Sequence, residues 1–171
     1  MLESLRKEIL RNSDNCVFPN HGNVEGFMGT AEITFVGERP STGTFPTPAD
    51  RLLYGLLEEF GVADAHLTDL VKTRGRVRDA YPDNEDPHCR WFQREIEILR
   101  PCMVVAFGRR AFDVVQFLVG SSIDIHQVLH YSHANRFPEK REQFISEMKD
   151  ICQRFMERSK IKNEKRNQLR H

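Results

Sequence analysis

The sequence predicts an α/β protein in which a central parallel four-stranded sheet lies between two layers of helices. Three observations lead to this fold class. Apolar runs of strand length alternate with longer amphipathic segments, turn residues separate them, and one run, residues 102–107, is wholly apolar. Such a run is typical of a strand buried on both faces, as in parallel sheets. The length of 171 residues fits a single domain.

Each predicted element rests on a local pattern. Apolar residues recur at helical spacing in five segments, and β-branched or aromatic residues fill most of the runs between them. Thr47 and Asp86 are N-cap residues, each followed by a proline at the first helical position, while Gly61 and Gly120 end helices. In order, the predicted elements are a helix at 1–11, a strand at 31–38, a helix at 48–60, a strand at 65–72, a helix at 87–99, a strand at 102–107, a helix at 109–119, a strand at 123–129 and a last helix from 138 to 156.

Several segments fall outside these predicted elements. Residues 12–30, 39–46 and 130–138 are predicted as loops, the first of them covering part of the fold and contributing to the mouth of a site. Residues 157–171 are rich in Lys and Arg without apolar periodicity, so we expect a frayed or disordered basic tail.

The composition excludes several classes of protein. Lys and Arg number 25, as do Asp and Glu, so the net charge is zero and a globally basic nucleic-acid binder is excluded, although a local basic surface is not. The first ten residues lack the apolar core of a signal peptide, and no apolar run approaches the ~20 residues of a membrane span. We expect a soluble, cytoplasmic monomer without a membrane partner.

The four cysteines are scattered and contain no CxxC pair, so no disulfide framework is predicted. A zinc site drawn from Cys16, His21, His88 and Cys89 is an alternative. Against it, the adjacent His88 and Cys89 have difficulty occupying two corners of one tetrahedron. We expect no metal and no cofactor.

Polar side chains follow the predicted strands. Glu38, Asp69 and His130 lie at or after strand ends, and the carboxyl ends of parallel strands share the rim where α/β sheets bind ligands. The alternative to a site role is that Glu38 is a solvated loop residue and that Asp69 is a solvated residue on an edge strand. Phe45 either packs in the core or forms a stacking wall above the sheet.

Basic residues follow the second strand. Lys72, Arg74, Arg76 and Arg78 occupy every second position, so in an extended segment they share one side. This spacing predicts contacts with phosphate groups, and the alternative is a solvated basic loop.

Together the rim residues combine an acid, an imidazole, an aromatic ring and a cationic border. Such a set suits the extraction of a base from DNA. The ring stacks on the base, a polar side chain reads its edge, a carboxylate orients water, and the imidazole stabilises the departing base.

The sequence resembles the uracil-DNA glycosylase superfamily, and most closely its family four, in five phrases that keep the same order. GERP at 37–40 resembles a GEAPG-like motif, and 45–53 resembles PFVGRAGQLL, which contains the family's stacking aromatic. TDLVKTR at 68–74 resembles TNVVKCRP, and 89–108 resembles a helix phrase that begins with Cys and ends in PKVIVALG. HYSHANR at 130–136 resembles HPSxxNR, the second catalytic motif.

The resemblance, which extends from Glu32 to Pro138, implies a single uracil-DNA glycosylase-like domain at 1–156 followed by the tail at 157–171. It implies an enzyme that flips a damaged or deaminated base of single- or double-stranded DNA into a pocket and hydrolyses its N-glycosidic bond in base-excision repair.

Roles for individual residues follow from the same resemblance. Glu38 and His130 are the implied catalytic residues, Glu38 positioning water and His130 stabilising the leaving base. The other implied site residues are Gly37, Phe45 and Asp69 for the base, and Arg39, Lys72, Arg74, Arg76, Ser132, Asn135 and Arg136 for DNA.

One departure concerns a cofactor. Family four holds an iron–sulfur cluster with four cysteines, the first two in an N-terminal CxxC. Here the N-terminal loop has Cys16 alone, the third position is Thr73, and only Cys89 stays clearly in place. Because a cluster requires about four ligands, we expect none.

The sharper departure is Asp69, which stands where the family reads the base with asparagine. An ionised carboxylate only accepts hydrogen bonds, so it repels uracil O4 and favours the amino group of a cytosine-like edge. Alternatively, burial protonates Asp69 and lets it donate. Arg39 also replaces a small residue and either pairs with Glu38, contacts a phosphate or faces solvent. Tyr131 and His133 stand where prolines often shape the second motif.

These departures keep a rival function open, a protein of the same fold that binds nucleic acid or a nucleobase without cleaving it. An unrelated hydrolase activity is a third alternative, because fold alone does not determine function.

Overall fold

The computed structural model describes residues 1–40, 43–75, 86–120 and 122–168. Four strands form one parallel sheet between layers of helices, which confirms the predicted fold class. In chain order, the elements are α1 (Leu2–Asn12), a 3-10 helix (Gly26–Met28), β1 (Ile33–Gly37), α2 (Pro48–Glu59), β2 (His66–Asp69), α3 (Pro87–Leu99), β3 (Met103–Phe107), α4 (Arg109–Val119), β4 (Asp124–Val128), α5 (Tyr131–Arg136) and α6 (Pro138–Gln168).

Different helices cover the two faces of the sheet. Ile33 and Phe35 belong to the larger core with α2, α5 and α6, whereas Val36 and Val104 pack with α3 and α4. β1 and β3 are buried along their whole length, which explains their largely apolar sequences. A smaller cluster joins α1 to α3 through Trp91.

The strand order determines where a crevice forms. It is β2-β1-β3-β4, so the chain leaves β1 toward one edge and returns on the other side of β1 to form β3. Loops that leave two neighbouring strands in opposite directions open a crevice at their carboxyl ends, where open α/β sheets bind ligands. Glu38 follows β1 and Gly108 follows β3, so both lie beside this crevice.

A capping box sets the start of α2 beside the crevice. The Thr47 hydroxyl accepts the Asp50 N–H at 3.2 Å, and the Asp50 carboxylate accepts the Thr47 N–H at 2.7 Å. Pro48 occupies the first turn, and Asp86 caps α3 in a similar way by accepting a main-chain N–H. Both caps agree with the sequence prediction, and the first holds Asp50 at the mouth of the crevice.

The segment after β4 differs from its prediction. Residues 131–136 form the short helix α5 instead of a continuous loop. Its first turn is stabilised by His130, whose side chain accepts the main-chain N–H of Ser132. Histidine is not among the residues usually read as a cap, which explains why the helix was not predicted.

α6 continues past the expected limit at 156. It is helical through Gln168, and Arg158 and Lys162 form ion pairs with Asp124 and Glu32 at the start of the sheet. The expectation of a frayed tail is therefore wrong as far as Gln168. The division into a domain and a tail stays a prediction. Within the described ranges, no helix has both the length and the apolar character needed to cross a membrane.

Candidate functional site

Two adjoining cavities open in the crevice. The inner cavity together with the solvent at its mouth has about 550 Å3, and the more open outer cavity, measured in the same way, has about 1100 Å3. Pro40, Asp50, Phe107 and Tyr131 line both. The inner cavity is also lined by Gly37, Phe45, Tyr54, Asp69 and Arg74, and the outer cavity by Glu38, Arg39, Arg110, His130 and Ser132.

Asp69 lies at the end of β2, directly opposite Gly37 of β1. Its side chain crosses over the glycine, because a Cβ at Gly37 would come within 2.2 Å of Asp69 Oδ1. Only 8% of Asp69 is exposed, and it lines the inner cavity. Asp69 is therefore not a solvated edge residue, and Gly37 provides the space that its carboxyl occupies.

The electrostatic surroundings of Asp69 oppose its ionisation. Burial raises its pKa to about 7; the nearby Lys72 lowers it, and Asp50 and Glu95 raise it further. A neutral carboxyl donates and accepts hydrogen bonds, as an asparagine amide does, whereas the ionised form only accepts. Asp69 can thus donate and accept hydrogen bonds below neutral pH, whereas above neutral pH it only accepts them.

Phe45 forms part of the inner cavity wall. Its ring meets Tyr54 edge to face with centroids 5.9 Å apart and meets His21 at 6.3 Å. Val17 and Pro19, from the loop predicted to cover a site, line the same cavity. These contacts hold the ring of Phe45 in the wall of the inner cavity.

Glu38 lines the outer cavity beside a cation that was not predicted. Its Oε1 lies 3.4 Å from Nε of Arg110 in α4. Burial raises the pKa of Glu38, and the charge of Arg110 partly reverses this effect. Arg39 packs against Gly75, where a Cβ would meet its Nη1 at 2.6 Å. Arg110 is therefore a cation beside Glu38 that the sequence did not indicate.

His130 is held as a neutral imidazole. Its Nδ1 accepts the Ser132 N–H at 3.1 Å and lies 2.8 Å from the Ser132 hydroxyl, so the neutral ring carries its proton on Nε2. Burial lowers its pKa to about 4, as does nearby His133, while Asp50 acts in the opposite direction. Above that pH, Nε2 is a hydrogen-bond donor.

The remaining predicted DNA contacts lie in different surroundings. Arg74 is exposed at the mouth of the inner cavity, and its Nη1 donates to a main-chain carbonyl across the loop at 2.6 Å. Asn135 and Arg136 are exposed on α5, outside the lining of both cavities. Arg76 and Arg78 fall outside the described residues.

Lys72 corrects one prediction. It is 1% exposed, and its ammonium lies 2.7 Å from Oε1 of Glu95 and donates to Thr68 and to the main-chain carbonyl of Asp69. The predicted contact of Lys72 with a DNA phosphate is therefore wrong. The residue follows the strand end by three positions, but the chain turns it inward instead of continuing in an extended conformation.

Among the lining residues that were not predicted as part of a site are four with polar side chains: Asp50, Tyr54, Arg110 and Tyr131. Asp50 and Tyr54 lie one helical turn apart on α2. Burial raises the pKa of Tyr54 and of Tyr131, so both hydroxyls stay protonated and can donate.

The cysteines do not fit an iron–sulfur cluster. Cys16 donates its thiol to the Ser13 carbonyl at 3.4 Å, and its backbone pairs with that of Thr73, whose hydroxyl is not a thiolate. Cys102 and Cys152 lie in or against the core on the α6 side. Within the described ranges, no three His, Cys, Asp or Glu side chains are grouped to hold a metal. Two remaining cysteines are too few for a cluster.

Comparison with known proteins agrees with this geometry. The family model described as the uracil DNA glycosylase superfamily matches residues 26–152. The chain is also similar to the type-4 uracil-DNA glycosylase of Archaeoglobus fulgidus, with 26% identity over 177 residues that cover 86% of each protein.

The buried Asp69 carboxyl predicts a pH-dependent stability difference. Its pKa rises from the ordinary 3.8 to about 7 on folding, so the wild type loses stability as pH increases through this window. Asp69→Asn removes that loss. Over the part of this window from about pH 5 to about pH 7, we expect the variant to gain stability relative to wild type by on the order of 3 kcal/mol, and then to level off.

Denaturant unfolding between about pH 5 and about pH 9 measures this difference. Asp150→Asn, an exposed substitution on α6, is the control and should show no such trend. A stability difference between Asp69→Asn and wild type that does not change with pH contradicts the buried, titrating carboxyl.

Proposed function

Because the chain belongs to the uracil DNA glycosylase superfamily, we propose that it takes a flipped base into the inner cavity and hydrolyses its N-glycosidic bond. The observation that carries this proposal is the position of Asp69. Its buried carboxyl lines an aromatic-walled cavity that opens directly onto a chamber lined by Glu38 and His130. In this proposal, the base is recognised in the inner cavity and its bond is hydrolysed in the outer cavity.

The lining residues support an orientation for the nucleotide. The inner cavity offers Phe45 for stacking and Asp69 for hydrogen bonds to a base edge. The outer cavity is lined by Arg39, Arg109 and Arg110, which suit the phosphates on either side of the flipped nucleotide. The deoxyribose then lies at the junction, near Asp50.

In the proposed reaction, the ionised Glu38 accepts a hydrogen bond from water and directs it at C1′ of the sugar. The C1′–N bond breaks, its electron pair leaves with the base, and the water oxygen bonds to C1′ while its proton is released toward Glu38. The Nε2–H of neutral His130 donates a hydrogen bond to the carbonyl oxygen of the departing base, where negative charge develops.

The charge of Asp69 sets the base preference in this proposal. The neutral form can donate to O4 of uracil and accept from its N3–H, the two contacts that an asparagine amide would make. The ionised form repels O4 and accepts from the amino group of a cytosine-like base. Deaminated bases with a carbonyl edge are therefore favoured below about pH 7.

Binding without cleavage is a second candidate function, favoured by the contact between Glu38 and Arg110. The cation lies 3.4 Å from the oxygen that would otherwise accept from water, so it competes with water for the proposed catalytic carboxylate. This candidate predicts salt-sensitive DNA binding and no abasic product.

The test is incubation with single- and double-stranded DNA carrying uracil, hypoxanthine, xanthine, or ordinary or modified cytosine. We expect abasic sites from at least one deaminated base, and a loss of about 100-fold or more in Glu38→Gln, which cannot act as a base. The exposed neighbour substitution Arg109→Gln controls for weakened DNA binding. Binding without abasic product from any of these bases rejects the enzymatic function.

The pH dependence of uracil cleavage is a second expectation. The rate should rise as Glu38 ionises and fall above about pH 7, by about tenfold for each pH unit, as Asp69 loses its proton. His130 stays neutral across this range because its pKa is about 4.

In Asp69→Asn the alkaline decrease should disappear while the acidic limb remains, since the amide donates at every pH. Single-turnover rates between about pH 5 and about pH 9 measure both limbs. An unchanged alkaline limb in Asp69→Asn would show that another group titrates.

A further inference from the structure

A chain of buried polar groups lies directly behind Asp69. His66 Nδ1 lies 2.8 Å from the Phe27 carbonyl, and its Nε2 lies 3.1 Å from Oε2 of Glu95. The other oxygen of Glu95 lies 2.7 Å from Nζ of Lys72, which donates to the carbonyl of Asp69 at 2.5 Å. The side chains of His66, Glu95 and Lys72 are at most 1% exposed.

The contacts of the chain show how its members are held. The two ring nitrogens of His66 lie between a main-chain carbonyl and the Glu95 carboxylate, so the ring is fixed in orientation. Burial opposes ionisation of Glu95, but the contacts with Lys72 and His66 outweigh it and lower its pKa. The chain thus pairs the negative Glu95 with the positive Lys72, and the positive charge of Lys72 lies next to Asp69.

Burying such a chain of charged and polar groups in the core costs free energy. Lys and Glu are rarely fully buried, and a buried ion pair often stabilises a fold no better than apolar residues of similar size. Here the ammonium of Lys72 donates to Thr68 at 2.6 Å as well as to the carbonyl of Asp69, and it forms the ion pair with Glu95. The chain ends at Asp69, which lies opposite Gly37 and lines the inner cavity with its carboxyl.

We propose that Lys72, Glu95 and His66 are positioning residues that act through Asp69 and determine which base edge the inner cavity accepts. The effect of these residues on base preference rests on the proposed function, whereas their effect on the ionisation of the Asp69 carboxyl does not. Lys72 holds the main chain of Asp69 in place and brings a positive charge to its carboxyl. Glu95, held in turn by His66, offsets part of that charge.

Other ionisable groups also face Asp69 and must be held constant in a test. They come from α2, from α5 and from the segment after β2: Asp50, Tyr54, Tyr131 and Arg74. None of them belongs to the buried chain, so substitutions at Lys72 and Glu95 change the charge behind Asp69 and leave these groups in place.

The experiment compares two isosteric or near-isosteric substitutions with opposite expected effects. Lys72→Met removes the positive charge and should raise the titration midpoint of the Asp69 carboxyl, measured by 13C NMR, by roughly one pH unit. Glu95→Gln removes the negative charge and should lower the midpoint by a similar amount. Glu97→Gln, an exposed substitution on the same helix, is the matched control and should leave the midpoint unchanged.

A second readout is the relative affinity for free uracil and free cytosine near pH 7, measured by NMR chemical-shift titration. We expect Lys72→Met to move the ratio toward uracil and Glu95→Gln to move it toward cytosine, each by roughly three- to tenfold. Neither readout requires cleavage, so an inactive protein that shows both shifts would contradict the proposed hydrolysis and support the positioning chain.

Loss of folding in Lys72→Met does not prevent the test. The double variant Lys72→Met/Glu95→Gln leaves no unpaired charge between the two positions, and its Asp69 midpoint should lie above that of Glu95→Gln alone. The proposal would be overturned if the Asp69 midpoint shifted in the same direction in both single variants. It would also be overturned if the midpoint of the double variant equalled that of Glu95→Gln alone. A merely structural role of these residues predicts no shifts of opposite sign.

Discussion

The site depends on one buried ammonium group. Lys72 donates to Thr68 and to the carbonyl of Asp69 and forms an ion pair with Glu95, so it joins the end of β2 to α3. The chain could not leave β2 in this direction without an internal partner for that charge. As a consequence, Asp69 turns its carboxyl across Gly37 into the inner cavity, where burial works against its ionisation.

The outer cavity differs from the inner cavity because its two proposed catalytic residues remain accessible to solvent. Glu38 and His130 keep access to solvent through an open chamber, and each is tuned by one neighbour. Arg110 favours the ionised form of Glu38, and Ser132 directs the His130 proton to Nε2. In the proposed reaction the carboxylate activates water and the neutral imidazole stabilises the leaving group. Glu38 follows β1 and His130 comes after β4, so both reach this cavity at the carboxyl ends of the parallel strands.

Much of this arrangement is readable in the sequence, and the exceptions have physical reasons. Periodicity and caps predict the helices and strands because local propensity and tertiary packing agree along most of the chain. Lys72 was assigned to DNA because alternation along an extended segment was assumed, whereas the chain turns inward after Asp69. Arg110 could not be paired with Glu38 from sequence, because the contact joins residues that only the sheet brings together. The helix at 131–136 depends on a histidine cap, which pattern does not signal.

The central claim is that a single base occupies the inner cavity with its edge on Asp69. The most direct measurement is a crystal structure of Glu38→Gln bound to DNA that carries 2′-fluoro-2′-deoxyuridine, in which the fluorine slows cleavage, at about pH 6. We expect the uracil ring to lie against Phe45, with O4 about 3 Å from a carboxyl oxygen of Asp69. A base that remains in the outer cavity or in the duplex, with Asp69 contacting no part of it, would contradict the account.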